Sequence, residues 1–311
     1  MVPPSSDGIR TAFAFQQSTT SVARLALHVL LFALTLLTTT IVGVVLTQSF
    51  EHNQPLDLDQ YVNIFPVLWA HPLLLLNGLS FSLALMTILL AHELGHYFAC
   101  LYYQIDASLP YFLPFPSPIG TLGAFIRIRS PIYTMRALFD VGVAGPLAGF
   151  VMLLPALVIG MAHSKVVPGI GTRGDMIFGV PGIQQALEWL FFPGVASSDI
   201  YLHPLGRAAW VGTLATALNL LPIGQLDGGH IVYAFAGRWH KLLSRVFVVA
   251  LVPLAFFAHT WSWLVWAVLL FFFALRHPVI CDVSPLGARR VVLGLLALSI
   301  FLLTFTVVPL R

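Results

Sequence analysis

Two histidines and a glutamate have the spacing of metal ligands and a base on a helix. His92, Glu93 and His96 form the pattern His-Glu-x-x-His, in which both imidazoles fall on one helix face, about one turn apart. The pattern predicts two ligands of a zinc ion, with the adjacent carboxylate as the base that takes a proton from water. The preceding run, residues 83–91, is apolar except for Thr87. Charged groups beside such a run are costly and usually functional.

A third ligand is needed, and Asp227 is the natural candidate. Four residues that disfavour a regular helix surround it: Pro222, Gly224, Gly228 and Gly229. They predict an unwound segment that frees the backbone and lets the carboxylate point inward. A helix-ending turn at the membrane surface is an alternative interpretation of this stretch, and Asp140 and Asp106 are the other acidic candidates near apolar segments.

The composition is that of an integral membrane protein. Hydrophobic residues make up 58% of the 311 residues and charged residues 9%, against roughly 25% charged in soluble domains. We expect a polar tail over residues 1–23 and a single transmembrane domain over residues 24–311, with a catalytic core at about 75–230. No basic stripe with interleaved aromatic residues is present, so nucleic acid is not an expected partner. Cys100 and Cys281 are interpreted as packing residues.

The apolar runs predict an all-α polytopic membrane protein with about six to seven transmembrane helices. The predicted spans are residues 24–47, 77–103, 137–161, 205–221, 246–275 and 291–310, of which 246–275 is long enough to be a hairpin turning at 259–261. In the third span, Gly142, Gly145 and Gly149 predict close helix packing. His92 lies eleven residues before Tyr103, about 16 Å along a helix, which places it within the hydrocarbon depth.

Residues 110–131 are apolar but cannot form a helix. Prolines and glycines interrupt them at Pro114, Pro116, Pro118, Gly120 and Gly123. The alternation of isoleucine and arginine over residues 126–129 has the period of a strand. We expect a re-entrant β-hairpin loop beside the active site, because irregular backbone at membrane depth must be covered by protein or line a cavity. A surface loop with a short amphipathic strand is the alternative.

The cationic residues predict the topology. With the amino-terminal arginines assigned to the cytoplasm and residues 246–275 taken as a hairpin, eleven Lys and Arg residues lie inside and four outside. The four outside are Lys165, Arg173, Arg207 and Arg311. The histidine motif, in the second half of its span, then lies toward the cytoplasmic side.

Three blocks of sequence resemble the site-2 protease family of intramembrane zinc metalloproteases. They are residues 92–96, residues 120–125 leading to Asp140 and residues 145–149, and residues 219–222 with 226–229. The sequences of these blocks are similar to those of the branch with plant chloroplast and bacterial members. The chain resembles a short form of the family, without a PDZ domain. We therefore expect an integral protein of the bacterial inner (plasma) membrane, with its active site toward the cytoplasmic side.

The resemblance also assigns roles. It implies one Zn²⁺ per chain held by His92, His96 and Asp227, with Glu93 as the catalytic base and Asn219 near the reacting carbonyl. The 120–129 stretch would receive an unwound substrate segment by strand addition. Implied partners are single-span membrane-protein substrates and the lipid bilayer, while the oligomeric state stays open. On residue type alone, Asn219 is as well explained as a polar contact between helices.

Two other functions use the same buried ligands. A metal transporter also needs His and Asp within the membrane, but it does not need a carboxylate beside the first histidine, whereas water activation does. An inactive protease-like binding protein is the other alternative, and the presence of every expected catalytic residue weakens it.

Overall fold

The computed structural model describes residues 21–274, 280, 282 and 284–309. Its α-helices are α1 (Val22–Glu51), α2 (Leu58–Ala70), α3 (Leu79–Tyr102), α4 (Met135–Ala162), α5 (Gly182–Phe191), α6 (Pro204–Asn219), α7 (Asp227–Phe257), α8 (Ser262–Ala274) and α9 (Ala288–Thr304). Its strands are β1 (Tyr111–Pro114), β2 (Thr121–Phe125), β3 (Lys165–Val166) and β4 (Ile200–Tyr201). Most of the predicted tail, together with Arg10, Arg276, Cys281 and Arg311, lies outside the described residues.

Long apolar helices dominate the described residues. Four stretches have the length and composition to cross a membrane: Val22–Glu51, Pro72–Tyr102, Met135–Ala162 and Asp227–Phe257. Pro72–Gly78 is a 3₁₀ turn that leads directly into α3. The prediction of a helical polytopic membrane protein is therefore confirmed.

Helix α7 differs from its prediction. The predicted span began at residue 246, but the helix already begins at Asp227 and continues through the cationic residues Arg238, Lys241 and Arg245. Its backbone leaves helical geometry at Ala236 (φ −135°, ψ 41°), so a short first arm and a longer second arm meet at a kink. The three cations are exposed, which allows their stems to lie along the helix while the charges reach water. The predicted turn near residue 259 separates α7 from α8, as expected.

A β-hairpin occupies the segment that was predicted to be re-entrant. Strands β1 and β2 pair antiparallel, with Phe112 opposite Ala124. The strand was predicted too late in the sequence, since residues 126–129 contribute only a bridge between Ala107 and Ile128. The turn of the hairpin is fastened to α1, because Thr38 Oγ1 donates to the Gly120 carbonyl at 2.7 Å.

Helices α3 and α4 form the centre of the bundle and approach each other very closely. A Cβ added at Gly95 of α3 would lie 2.4 Å from the Ala144 carbonyl oxygen of α4. No side chain can occupy such a gap, so glycine is required there. The close approach brings the histidine face of α3 against the first half of α4.

Contacts between helix ends define two faces of the molecule. At one face the Lys165 ammonium donates to the Phe50 carbonyl, and Trp263 Nε1 donates to Val307 O at 2.6 Å. At the other face Arg290 of α9 binds Asp140 of α4. The segment 163–203, with strands β3 and β4 and helix α5, packs over the first face, and we call it the cap.

Candidate metal centre

The side chains of His92, His96 and Asp227 meet between α3 and the first turn of α7. The two Nε2 atoms are 3.1 Å apart, and Asp227 Oδ2 lies 3.2 Å from His92 Nε2 and 3.3 Å from His96 Nε2. Ligand atoms of a tetrahedral zinc site, each about 2.1 Å from the ion, are about 3.4 Å apart. The triangle therefore has nearly the size of one face of a zinc tetrahedron.

The tautomer of His96 fits a metal ligand. Its Nδ1 lies 2.7 Å from the Val141 carbonyl oxygen, which can only accept, so Nδ1 carries a proton and donates. In the neutral ring the lone pair of Nε2 then points toward His92 and Asp227. A cation at this position satisfies three converging lone pairs, and a backbone carbonyl behind a ligating imidazole is the usual arrangement.

Two glycines of α4 provide the space for the imidazoles. A Cβ at Gly145 would lie 2.1 Å from His96 Nε2, and one at Gly149 would lie 3.3 Å from His92 Nδ1. These glycines therefore have the predicted packing role, and the groups that they make room for are the two imidazole rings of α3. Gly142 does the same for α7, since its Cβ would meet the Cβ of His230 at 2.9 Å.

The loop before Asp227 corrects one prediction. The chain leaves the helix at residues 220–226, as predicted, but Gly228 and Gly229 lie within the first turn of α7 and do not unwind it. They are needed for close approach, because a Cβ at Gly228 would be 2.0 Å from the Leu220 carbonyl oxygen. Ser244, on the second arm of α7, supports the loop by accepting a hydrogen bond from the Gly224 amide at 3.1 Å.

Glu93 and Asn219 lie beside the triangle. Asn219 Nδ2 is 3.2 Å from His92 Nε2, and the Glu93 carboxylate accepts a hydrogen bond from the backbone amide of Ile126. Glu93 is only 6% exposed. The residue after β2 therefore contacts the predicted base directly, which brings the hairpin to the site.

All five predicted site residues line one cavity of about 210 Å³: His92, Glu93, His96, Asn219 and Asp227. Ala124 and Phe125, at the end of β2, and the following residue, Ile126, form another part of its wall. Gln225 and His230 also line it and were not singled out from the sequence. The sequence could have indicated His230, because a residue three positions after Asp227 on a helix lies on the same helix face.

The two alternative acidic candidates have other partners. Asp140 receives hydrogen bonds from Arg290 Nε at 2.9 Å and Arg290 Nη2 at 2.6 Å. Asp106 forms an ion pair with Arg129. Among the described residues, His92, His96 and Asp227 form the cluster whose side chains lie close enough together to hold a metal ion.

Residues 80–260 match the model of peptidase family M50. The chain belongs to this family. Its membership confirms the resemblance to site-2 proteases.

Two relatives illustrate the similarity of this M50 chain to plant proteins. "Probable zinc metalloprotease EGY1, chloroplastic" of Oryza sativa subsp. japonica is 29% identical over 245 residues, which are 75% of this chain and 41% of the relative. "Probable zinc metalloprotease EGY2, chloroplastic" of Arabidopsis thaliana is 32% identical over 239 residues, which are 74% of this chain and 42% of the relative. The chain thus spans about two fifths of the length of these relatives.

Proposed function

We propose that this M50 chain is a zinc metalloprotease that hydrolyses peptide bonds within or near the transmembrane segments of single-span membrane proteins. The observation that carries the proposal is the triangle of His92, His96 and Asp227 beside the Glu93 carboxylate. The naming of its relatives as probable zinc metalloproteases is further support.

One zinc ion per chain, held by these three residues, would polarise the scissile carbonyl and make water acidic enough to react near neutral pH. Glu93 takes the proton from the attacking water and delivers it to the nitrogen of the departing amine. Its low exposure limits competing proton exchange with bulk water. The Asn219 side-chain amide donates to the substrate's carbonyl oxygen, where negative charge develops.

The lining of the cavity supports cleavage of an unwound segment, which enters as an extended chain. The end of β2, which lines the cavity through Ala124 and Phe125, is positioned for strand addition to that chain.

We infer that the site faces the side that carries most of the cations. Asp227 lies nine residues before the kink at Ala236, about 14 Å along the helix, and the exposed Arg238 and Lys241 follow the kink. By the positive-inside rule this is the cytoplasmic side. A bacterial inner membrane gains no support from the relatives, which are named chloroplastic, so the orientation is proposed relative to the cation-rich side.

The decisive experiment is proteolysis by purified protein in liposomes, using a panel of single-span substrates. Glu93→Gln should retain zinc and lose about 10²- to 10⁴-fold in rate, the usual contribution of a general base. Glu51→Gln, which changes an exposed carboxylate at the end of α1, is the matched control and should cleave normally. Cleavage by Glu93→Gln at the wild-type rate would refute the mechanism.

Metal content tests the ligand set separately from activity. Asp227→Asn should lower the bound zinc well below one per chain, whereas Asp59→Asn, at an exposed position on α2, should not. Zinc bound without any proteolysis of the panel would favour the alternatives of metal transport or an inactive binding protein.

A further inference from the structure

Arg207 lies at the boundary between α6 and the cap without an acidic partner. The salt bridges among the described residues join other side chains. The Arg207 guanidinium stacks over the Phe178 ring at 4.3 Å from its centroid, and its Nε is buried without a hydrogen bond. A buried guanidinium nitrogen normally donates to a carboxylate or another acceptor, and Nε of Arg207 has none.

A cavity of about 40 Å³ adjoins the guanidinium. It lies under the cap, and its polar lining residues are Arg173, Gln184, Ser197, Tyr201 and Arg207. Since one water needs about 10–15 Å³ of such volume, the cavity has room for about three water-sized groups. Two arginines that both lack an ion pair in the described part of the chain therefore line the same space.

The nearby groups do not accept a hydrogen bond from Arg207. Burial raises the pKa of Tyr201 to about 12, so its hydroxyl is neutral, and it donates to the Gln54 carbonyl at 2.7 Å. Glu188 is the carboxylate that interacts with Arg207 at longer range. Its two oxygens accept hydrogen bonds from Gln184 Nε2 at 2.7 Å and Ser197 Oγ at 2.6 Å.

Gln184 provides an independent sign of an occupant. The residue is 6% exposed, and its Oε1 is buried without a hydrogen bond. The bond to Glu188 requires the amide nitrogen on that side, so Oε1 must face away from it. Arg207 and Gln184, which both line the cavity, thus contribute one buried donor, Nε, and one buried acceptor, Oε1, that have no hydrogen bond.

We propose that this cavity binds a small monovalent anion, chloride or a carboxylate group, together with water. The anion accepts hydrogen bonds from the Arg207 guanidinium, and Arg173 adds positive charge at the exposed side of the cavity. A water beside the anion donates to Gln184 Oε1. The bound anion links α6, which ends at Asn219, to α5 and to the segment 170–180 of the cap.

The test uses full-length protein in detergent at constant ionic strength, with gluconate as the large background anion. Chloride and formate are titrated separately, and the apparent melting temperature and the ³⁵Cl NMR line width are measured. We expect a saturable rise of a few degrees and a saturable broadening with chloride. Competition of formate against the broadening would identify a site that also takes carboxylates, whereas stabilisation by formate alone would restrict the site to carboxylates.

Arg207→Gln should abolish the anion dependence of both readouts. Arg173→Gln, which alters only an exposed loop residue, should weaken the apparent affinity several-fold and keeps the test usable if Arg207→Gln does not fold. Arg24→Gln, at an exposed cation at the other face, is the control and should respond as wild type does. Equal stability in chloride, formate and gluconate would mean that water alone fills the cavity, and an unchanged response of Arg207→Gln would equally overturn the proposal. Neither measurement involves proteolysis, so the outcome is independent of the proposed function.

Discussion

At the scale of single residues, the metal ligands could be predicted from the sequence, but the backbone group that orients one of them could not. The spacing of His92 and His96 predicts two ligands because a helix has a fixed period. Asp227 could be predicted as the third ligand because few acidic residues lie near apolar segments. The other two candidates, Asp140 and Asp106, have arginine partners in the structure. The Val141 carbonyl that orients His96 is a backbone group, and no residue type signals it in a sequence.

Gly145 shows how closely the ring of His96 is enclosed, and it yields a residue-scale prediction. Gly145→Ala places a methyl group where the His96 imidazole lies, with only 2.1 Å to Nε2. We expect zinc content and proteolysis to fall together, by about 10- to 100-fold, the loss usual for a disturbed ligand environment. Metal analysis of purified protein by mass spectrometry measures the first and liposome cleavage the second.

Gly237→Ala is the matched control for this substitution. Gly237 also lies in an apolar helix, but an added Cβ there meets nothing nearer than the Met135 Cε at 4.0 Å. Replacing a helical glycine by alanine should stabilise the fold by up to about 1 kcal/mol. If Gly145→Ala binds zinc as Gly237→Ala does, the α4 glycines do not define the site.

At the scale of elements, helices were easier to predict than the segments between them. Apolar runs fix a helix to within a few residues, as with α4, predicted over 137–161 and observed as Met135–Ala162. The hairpin strand was placed too late because the Ile-Arg alternation of residues 126–129 mimics a strand, whereas pairing depends on the partner β1. Similarly, Arg238 and Lys241 suggested a loop, although exposed cations are compatible with a continuing helix.

The contact of α9 with the rest of the bundle gives an element-scale prediction. Arg290 makes two hydrogen bonds to Asp140 and a third, at 3.1 Å, to the Tyr103 hydroxyl. Arg290→Gln should destabilise the protein by about 1.5–3 kcal/mol, the range for hydrogen bonds to charged groups. The apparent melting temperature in detergent is the measurement.

The neighbouring arginine supplies the control for this effect. Arg289 is exposed at the same helix start, so Arg289→Gln removes an equal charge without removing the contact to Asp140. Its effect should stay within about 0.5 kcal/mol, as for most surface substitutions. Equal melting temperatures for the two variants would show that the Asp140 contact does not hold α9.

At the scale of the whole molecule, charge and hydropathy predicted a polytopic protein but not how its helices are arranged. The sidedness of the chain follows from long-range contacts that no local pattern encodes. The end of α1 meets the start of the cap through Phe50 and Lys165, and the start of α8 meets the end of the chain through Trp263 and Val307. Both contacts place those segments on the face opposite Asp140 and Arg290.

A labelling experiment tests this arrangement. In a cysteine-free variant, single cysteines replace Val22, Glu51, Tyr133 and Val307, which are all exposed. A membrane-impermeant maleimide applied to oriented vesicles should label positions 22 and 133 from one side and positions 51 and 307 from the other. Labelling of positions 22 and 307 from the same side would contradict the arrangement.

The kink at Ala236 affects how many times the chain crosses the membrane. If α7 were straight, it would start inside the membrane at Asp227 and leave it on one side without crossing back. Bent at Ala236, its first arm completes the traverse that α6 begins, and its second arm starts a new one. From this bend we predict an odd number of membrane crossings, with the two ends of the described chain on opposite sides. A reporter fused after residue 309 should then lie on the side opposite the cation-rich face.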